Sequence, residues 1–185
     1  GWDLVGSNYE SFVPGGTKGD NNPAPTGNNN DHGTHVAGIA AAASNNRIGV
    51  ASLANRCKIL PVKCTADNDT RGSGSAYILS GYTGIVYAAT MGAAVINCSW
   101  GGEGGSQVEQ DLINFATQRG SLVVAAAGNN SSDAFFSPGS YKNVLSVAAT
   151  DQSDRRAWFS NYGDYVDVSA PGVGIWSTLY HSTYF

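Results

Sequence analysis

The sequence predicts an α/β fold, a parallel sheet flanked by helices on both faces, on three observations. Short apolar runs of strand type alternate along the chain with helical patterns, which is the signature of a parallel sheet with crossover helices. Those runs are continuously apolar rather than alternating, as in strands covered on both sides. The chain is 185 residues long with 42% apolar side chains, enough for one packed core and not for two sizeable ones.

Residues 1–31 form a polar lead-in, with turns at Pro14-Gly15-Gly16 and Asn21-Asn22-Pro23 and a close at Asn28-Asn29-Asn30-Asp31. Residues 32–185 hold the core of the sheet. Small residues from His32 to Ala43 read as a closely packed helix with Asp31 as its N-cap. A turn at Asn45-Asn46 leads to a β-run from Lys58 to Lys63, and a Gly/Ser stretch from Arg71 to Ser75 follows. A helix is expected from Ala76 to Met91, with Ile78, Tyr82, Ile85 and Ala89 on one stripe. Ala93–Cys98 reads as a buried strand ending in Ser99-Trp100-Gly101-Gly102. A helix over Gln107–Gln118 turns Val108, Leu112 and Phe115 inward. The strand Leu122–Ala127 ends in Gly128-Asn129-Asn130, and further strands are expected at Val144–Ala149 and Tyr165–Val168. In such sheets ligands bind beyond the carboxyl ends of the strands, where Ser99-Trp100-Gly101 and Gly128-Asn129 fall.

Composition excludes several function classes. Charged residues are 13%, about half the globular average of roughly 25%, and the net charge is −4 with a pI near 5.1. No basic run could track a phosphate backbone, so nucleic acid is not an expected partner. No stretch nears the roughly 18 uncharged apolar residues of a membrane span. The three cysteines, Cys57, Cys64 and Cys98, make no disulfide framework. As the ends of a strand, Cys57 and Cys64 would lie roughly 20 Å apart, too far to bridge. Free buried thiols are the simple reading, with a link from Cys98 to one of the others left open.

Four segments carry a resemblance. Asp31-His32-Gly33-Thr34-His35-Val36-Ala37-Gly38 resembles the histidine motif of the subtilisin-like serine proteases, the subtilases. Ala125-Ala126-Ala127-Gly128-Asn129 resembles their oxyanion-asparagine motif, and Ile96–Gly102 is similar to their substrate-cleft strand. Phe159-Ser160-Asn161-Tyr162-Gly163, with Val168-Ser169-Ala170-Pro171-Gly172, resembles the stretch leading to their nucleophile. The resemblance implies a subtilisin-like fold and a serine endopeptidase that works through an Asp-His-Ser triad and an acyl-enzyme. A serine hydroxyl needs a base within hydrogen-bond reach, and an imidazole suits that task. The position implied is His32 rather than His35. The pair His32-x-x-His35 has no third ligand in a recognisable pattern, so zinc chemistry is not expected. Asn129 matches the residue that meets the developing oxyanion.

By the same resemblance an extended polypeptide substrate lies between Gly72-Ser73-Gly74 on one side and Ser99-Trp100-Gly101 on the other, with Gly128 beside it. Trp100 would wall the pockets on one side, and Phe136 stands either at the base of the main pocket or as an ordinary buried aromatic. Ser44-Asn45-Asn46-Arg47-Ile48-Gly49-Val50 resembles the calcium loop of the family. The implied structural Ca2+ ligands are the Asn46 side chain and the carbonyls of Ser44, Ile48 and Val50.

The pattern also departs from the family. Neither the Asp-Thr/Ser-Gly motif expected before His32 nor the Gly-Thr-Ser-Met-Ala motif expected near the end is present, and neither Asp3 nor Asp20 has the triad context. The expectation is an internal fragment of one peptidase domain, truncated at both ends, inactive alone, with exposed sheet edges. When full length it is expected to be monomeric and secreted. The alternative reading is a non-catalytic subtilase-like peptide-binding module. An unrelated hydrolase or nucleotide-binding domain is disfavoured, because the chain lacks a Gly-x-Ser-x-Gly elbow and a complete dinucleotide fingerprint.

Overall fold

The computed structural model describes residues 1–6, 19–25, 31–54, 56–67, 69 and 76–180. The chain divides into two compact units, Gly1–Gly84 with Trp176–Phe185, and Ile85–Ile175.

In the first unit β1 (Trp2–Asp3) pairs in parallel with β2 (Val62–Lys63), Trp2 opposite Val62 and Asp3 opposite Lys63. The strand expected over Lys58–Lys63 is reduced to its last two residues. Pro61 has no N–H to give a ladder; its carbonyl accepts from Trp2 N at 3.0 Å. Helix α1 (His32–Ala41) forms where predicted but stops earlier, because Ala42 turns extended (φ −56°, ψ 142°) while its N–H still reaches Gly38 O. Asp31 takes the N-cap position through its backbone alone, without a side-chain cap bond. Gly38 is required by close approach: a Cβ there would lie 2.3 Å from both Ser177 Oγ and Thr178 Oγ1. Those two hydroxyls donate to the carbonyls of His35 (2.6 Å) and Thr34 (3.0 Å), which fixes the first turn of the helix.

Helix α2 (Gly81–Thr90) begins five residues later than Ala76, the predicted start. The amides that an earlier start would need are used elsewhere. Tyr77 N donates to Asp69 Oδ2 at 3.0 Å and Leu79 N to Cys64 O at 2.9 Å. Of the predicted stripe, Ile85 and Ala89 are buried, Tyr82 is half-buried and Ile78, outside the helix, is exposed.

The second unit carries a four-stranded parallel sheet in the order β3 (Val95–Cys98), β5 (Leu122–Ala126), β7 (Val144–Thr150), β8 (Val168–Pro171). Cys98 lies opposite Ala125, Ala126 opposite Val147 and Thr150 opposite Pro171. The α/β architecture with a parallel sheet is thus as predicted. The last strand is not where the sequence put it: Val166 N closes a turn on Gly163 O (3.1 Å), and pairing starts only at Val168. A two-residue antiparallel ribbon, β4 (Gly102–Glu103) with β6 (Phe136–Ser137), was not predicted.

Helix α3 (Gln107–Gln118) has the predicted bounds, set by a capping box in which Ser106 Oγ accepts from Glu109 N and Glu109 Oε2 accepts from Ser106 N. Its inward face is one position away from the expected one. Ile113 and Ala116 are fully buried, Leu112 and Phe115 are half-buried, and Val108 is 68% exposed. Ile96, Cys98, Ile113, Ala116, Val123, Ala125 and Ala127 make up the buried centre of this unit.

No disulfide joins the three cysteines, but only Cys98 is fully buried; Cys57 is exposed and Cys64 half-buried. Burial, then the nearby Asp3 charge, pushes the Cys64 thiol up to about 12, so it is not a nucleophile at neutral pH.

Candidate active site

The carboxyl ends of β3 and β5 are neighbours because Cys98 and Ala125 share a register position. This brings Ser99-Trp100-Gly101 and Gly128-Asn129 to the same end of the sheet, as anticipated. Phe136 ties the two segments together. Its ring edge lies where side chains on the two glycines would be: a Cβ on Gly101 would meet Phe136 Cε1 at 2.3 Å, and one on Gly128 would meet Cδ1 at 3.0 Å. Phe136 is 9% exposed and packs against both Gly101 and Gly128, which fits a buried aromatic and a pocket base alike. Ser99 Oγ accepts from Asn97 Nδ2 at 2.8 Å.

Gly128 is glycine for two reasons. Its φ is +113°, which L side chains rarely adopt, and a Cβ would lie 2.3 Å from Asn161 Nδ2. The turn it permits leaves Asn129 exposed, and among the described residues the carboxamide of Asn129 has no hydrogen-bond partner. The residues around Asn129 are tightly held. Asn161, 1% exposed, donates from Nδ2 to Ala127 O (3.0 Å), while its Oδ1 accepts from Asn130 N (2.8 Å) and Ser132 N (3.2 Å). Tyr165 Oη donates to Ala127 O at 3.0 Å, and Asn130 Nδ2 to Glu103 Oε1 at 3.2 Å. Arg156 donates to Ser131 Oγ at 3.3 Å and stacks over the Tyr162 ring at 4.7 Å. Burial holds the Tyr165 hydroxyl above its ordinary pKa, so it remains a donor.

His32 is the first residue of α1, in the first unit, and is exposed. Enough protein lies around the ring that desolvation, then the charge of His35, holds its pKa below 6.5, with Asp31 opposing both. A depressed pKa keeps the imidazole neutral and able to accept a proton. Asp3, excluded from the triad by its sequence context, is fully engaged structurally. Oδ1 accepts from Val5 N (2.8 Å) and Gly6 N (3.0 Å), and Oδ2 pairs with buried Lys63 (3.2 Å), which also pairs with Asp67.

Gly72, Ser73 and Gly74 lie outside the described residues. Ser44, Asn46, Ile48 and Val50 lie on a tight loop after α1, with positive φ at Asn45, Arg47 and Gly49. Asn46 Oδ1 already accepts from Ile48 N at 3.0 Å. Residues 42–52 offer a divalent cation only neutral oxygens and include Arg47, whereas calcium takes six to eight oxygens, carboxylates among them. These four donors alone do not complete a calcium site. Among the described residues no group of three or more His, Cys, Asp or Glu could hold a metal.

Sequence reading missed the role of Asn161. Its only signal was a polar residue inside a motif already singled out for another reason.

The Subtilase family model matches residues 6–185. The chain is 50% identical over 155 residues to the thermophilic serine proteinase of Bacillus sp. (strain AK1), covering 84% of this chain and 37% of that protein. It is 45% identical over 184 residues to thermitase of Thermoactinomyces vulgaris, covering all of this chain and 59% of that one. Among solved structures, a protease from Pseudoalteromonas arctica superposes with a TM-score of 0.84 at 31% identity, covering all of this chain and 64% of that one. The chain thus spans less than two thirds of each of these relatives. The order of the motifs, the parallel sheet and these likenesses agree: the chain belongs to the subtilase family.

Proposed function

We propose that the protein carrying this chain is a serine endopeptidase that hydrolyses peptide bonds in extended polypeptides. His32 acts as general base toward a serine hydroxyl, then as general acid toward the leaving amine. Asn129 donates from Nδ2 to the carbonyl oxygen as it becomes an oxyanion. The observation that most supports this reading is Asn129 itself: an exposed carboxamide without a hydrogen-bond partner among the described residues, on a turn held on both sides by Asn161. A surface asparagine with no task needs no such anchoring. Ser99, Trp100, Gly101 and Gly128, with Phe136 between the two strand ends, line the substrate backbone on their side. The backbone of 99–101 continues a strand, which suits β-addition of a substrate.

Secretion and a monomeric state of the full-length protein belong to the same proposal; no described helix is long and apolar enough to cross a membrane. A calcium ion at the 44–50 loop would need carboxylates from beyond residues 42–52, and no step above depends on it. The test is Asn129→Ala in the full-length protein carrying this chain. The expected result is a kcat lower by about 100–1000-fold with little change in KM, the range known for removing an oxyanion-hole donor from subtilisin, the namesake of the family. An unchanged kcat removes Asn129 from the mechanism, and peptide binding without turnover by the unsubstituted protein would favour a binding module.

A further inference from the structure

We propose that Asn161 is a positioning residue for the Asn129 carboxamide, holding the oxyanion donor in place from both sides; this rests on the reading of Asn129 given above. Asn161 makes four bonds to the turn: its Nδ2 to Ala127 O (3.0 Å), its backbone N to Gly128 O (2.9 Å), and its Oδ1 from Asn130 N (2.8 Å) and Ser132 N (3.2 Å). The bonded residues bracket position 129 without touching its side chain. The buried carboxamide thus holds Ala127, Asn130 and Ser132, and the Asn161 backbone N–H holds Gly128. No other side chain makes that set of bonds among the described residues.

The chemistry requires both ends of the amide. A carboxylate would accept from Asn130 and Ser132 but could not donate to Ala127 O. An alanine would leave two amides and one side of a carbonyl without their partner. A longer glutamine has no room, since Gly128 already lies so close that a Cβ on it would be 2.3 Å from Asn161 Nδ2. An oxyanion donor contributes only when preorganised to within about 0.5 Å of its position, so loosening this turn lowers the rate of the chemical step more than it weakens substrate binding.

A kinetic double-mutant cycle in the full-length protein carrying this chain tests the proposal. Asn161→Ala is expected to lower kcat by about 10–100-fold with KM within about twofold. In the Asn129→Ala background the same substitution should cost nothing further, because the donor it positions is gone. Asn161→Asp, which keeps the two accepted bonds, should lose less than Asn161→Ala and serves in the same cycle where the alanine variant does not fold. An undiminished loss from the Asn161 substitution in the Asn129→Ala background, or no loss from it when Asn129 is intact, overturns the positioning role. If Asn129→Ala itself leaves kcat unchanged, the reading of Asn129 fails instead, which separates the two claims.

Discussion

Asn129 and Asn161 share one side-chain chemistry and have opposite fates: one is exposed without a partner among the described residues, the other is buried and bonds Ala127, Asn130 and Ser132. Burial of an amide is favourable only when its donors and acceptors are met, and exposure of a well-anchored one leaves it for a ligand. His32 shows the same division of labour by charge. Its pKa is held below 6.5 by desolvation first and by His35 second, while Asp31 works the other way. The acid limb of kcat/KM, which reports the base of the free enzyme, should therefore move up in His35→Gln and down in Asp31→Asn. A pH–rate series on the two variants checks this; shifts of the reverse sign would remove His32 as the titrating base. The position of His32 was legible because the residues around it spell a motif. The bonds of Asn161 were not, since a buried polar residue in a loop leaves no periodic trace.

Helix α3 illustrates what an element's sequence can and cannot specify. Its bounds match the expected ones, and the structure shows a capping box of Ser106 and Glu109 setting its start. Its buried face was misassigned by one position because apolar residues occupy adjacent stripes, and contact with the sheet selects Ile113 and Ala116 over Val108. Ile113→Ala should therefore cost about 2–5 kcal/mol and Val108→Ala less than about 0.5, measured by chemical denaturation. Equal costs would mean that the expected stripe was right after all. The start of α2 and the shortening of β2 were illegible for another reason. Tyr77, Leu79 and Trp2 bond to partners distant in sequence, at Asp69, Cys64 and Pro61, and no local propensity encodes those acceptors. The ribbon of β4 with β6 is only two residues per strand, and it forms where Phe136 lies against Gly101.

Across the whole molecule, the parallel order β3-β5-β7-β8 fixes which loops share an end of the sheet, and those loops carry Ser99–Gly101 and Gly128–Asn129. That much followed from alternating helices and apolar strands, because a parallel sheet must place successive carboxyl ends together. The proposed action of His32 and Asn129 on the same peptide carbonyl is what the functional reading depends on. The most direct measurement is a crystal structure of the full-length protein with a peptidyl boronate, whose tetrahedral adduct stands in for the acyl-transfer intermediate. One boronate oxygen should lie within about 3 Å of Asn129 Nδ2, and the His32 imidazole should hydrogen-bond to the adduct. An adduct that touches neither side chain, or only one of them, would contradict that reading.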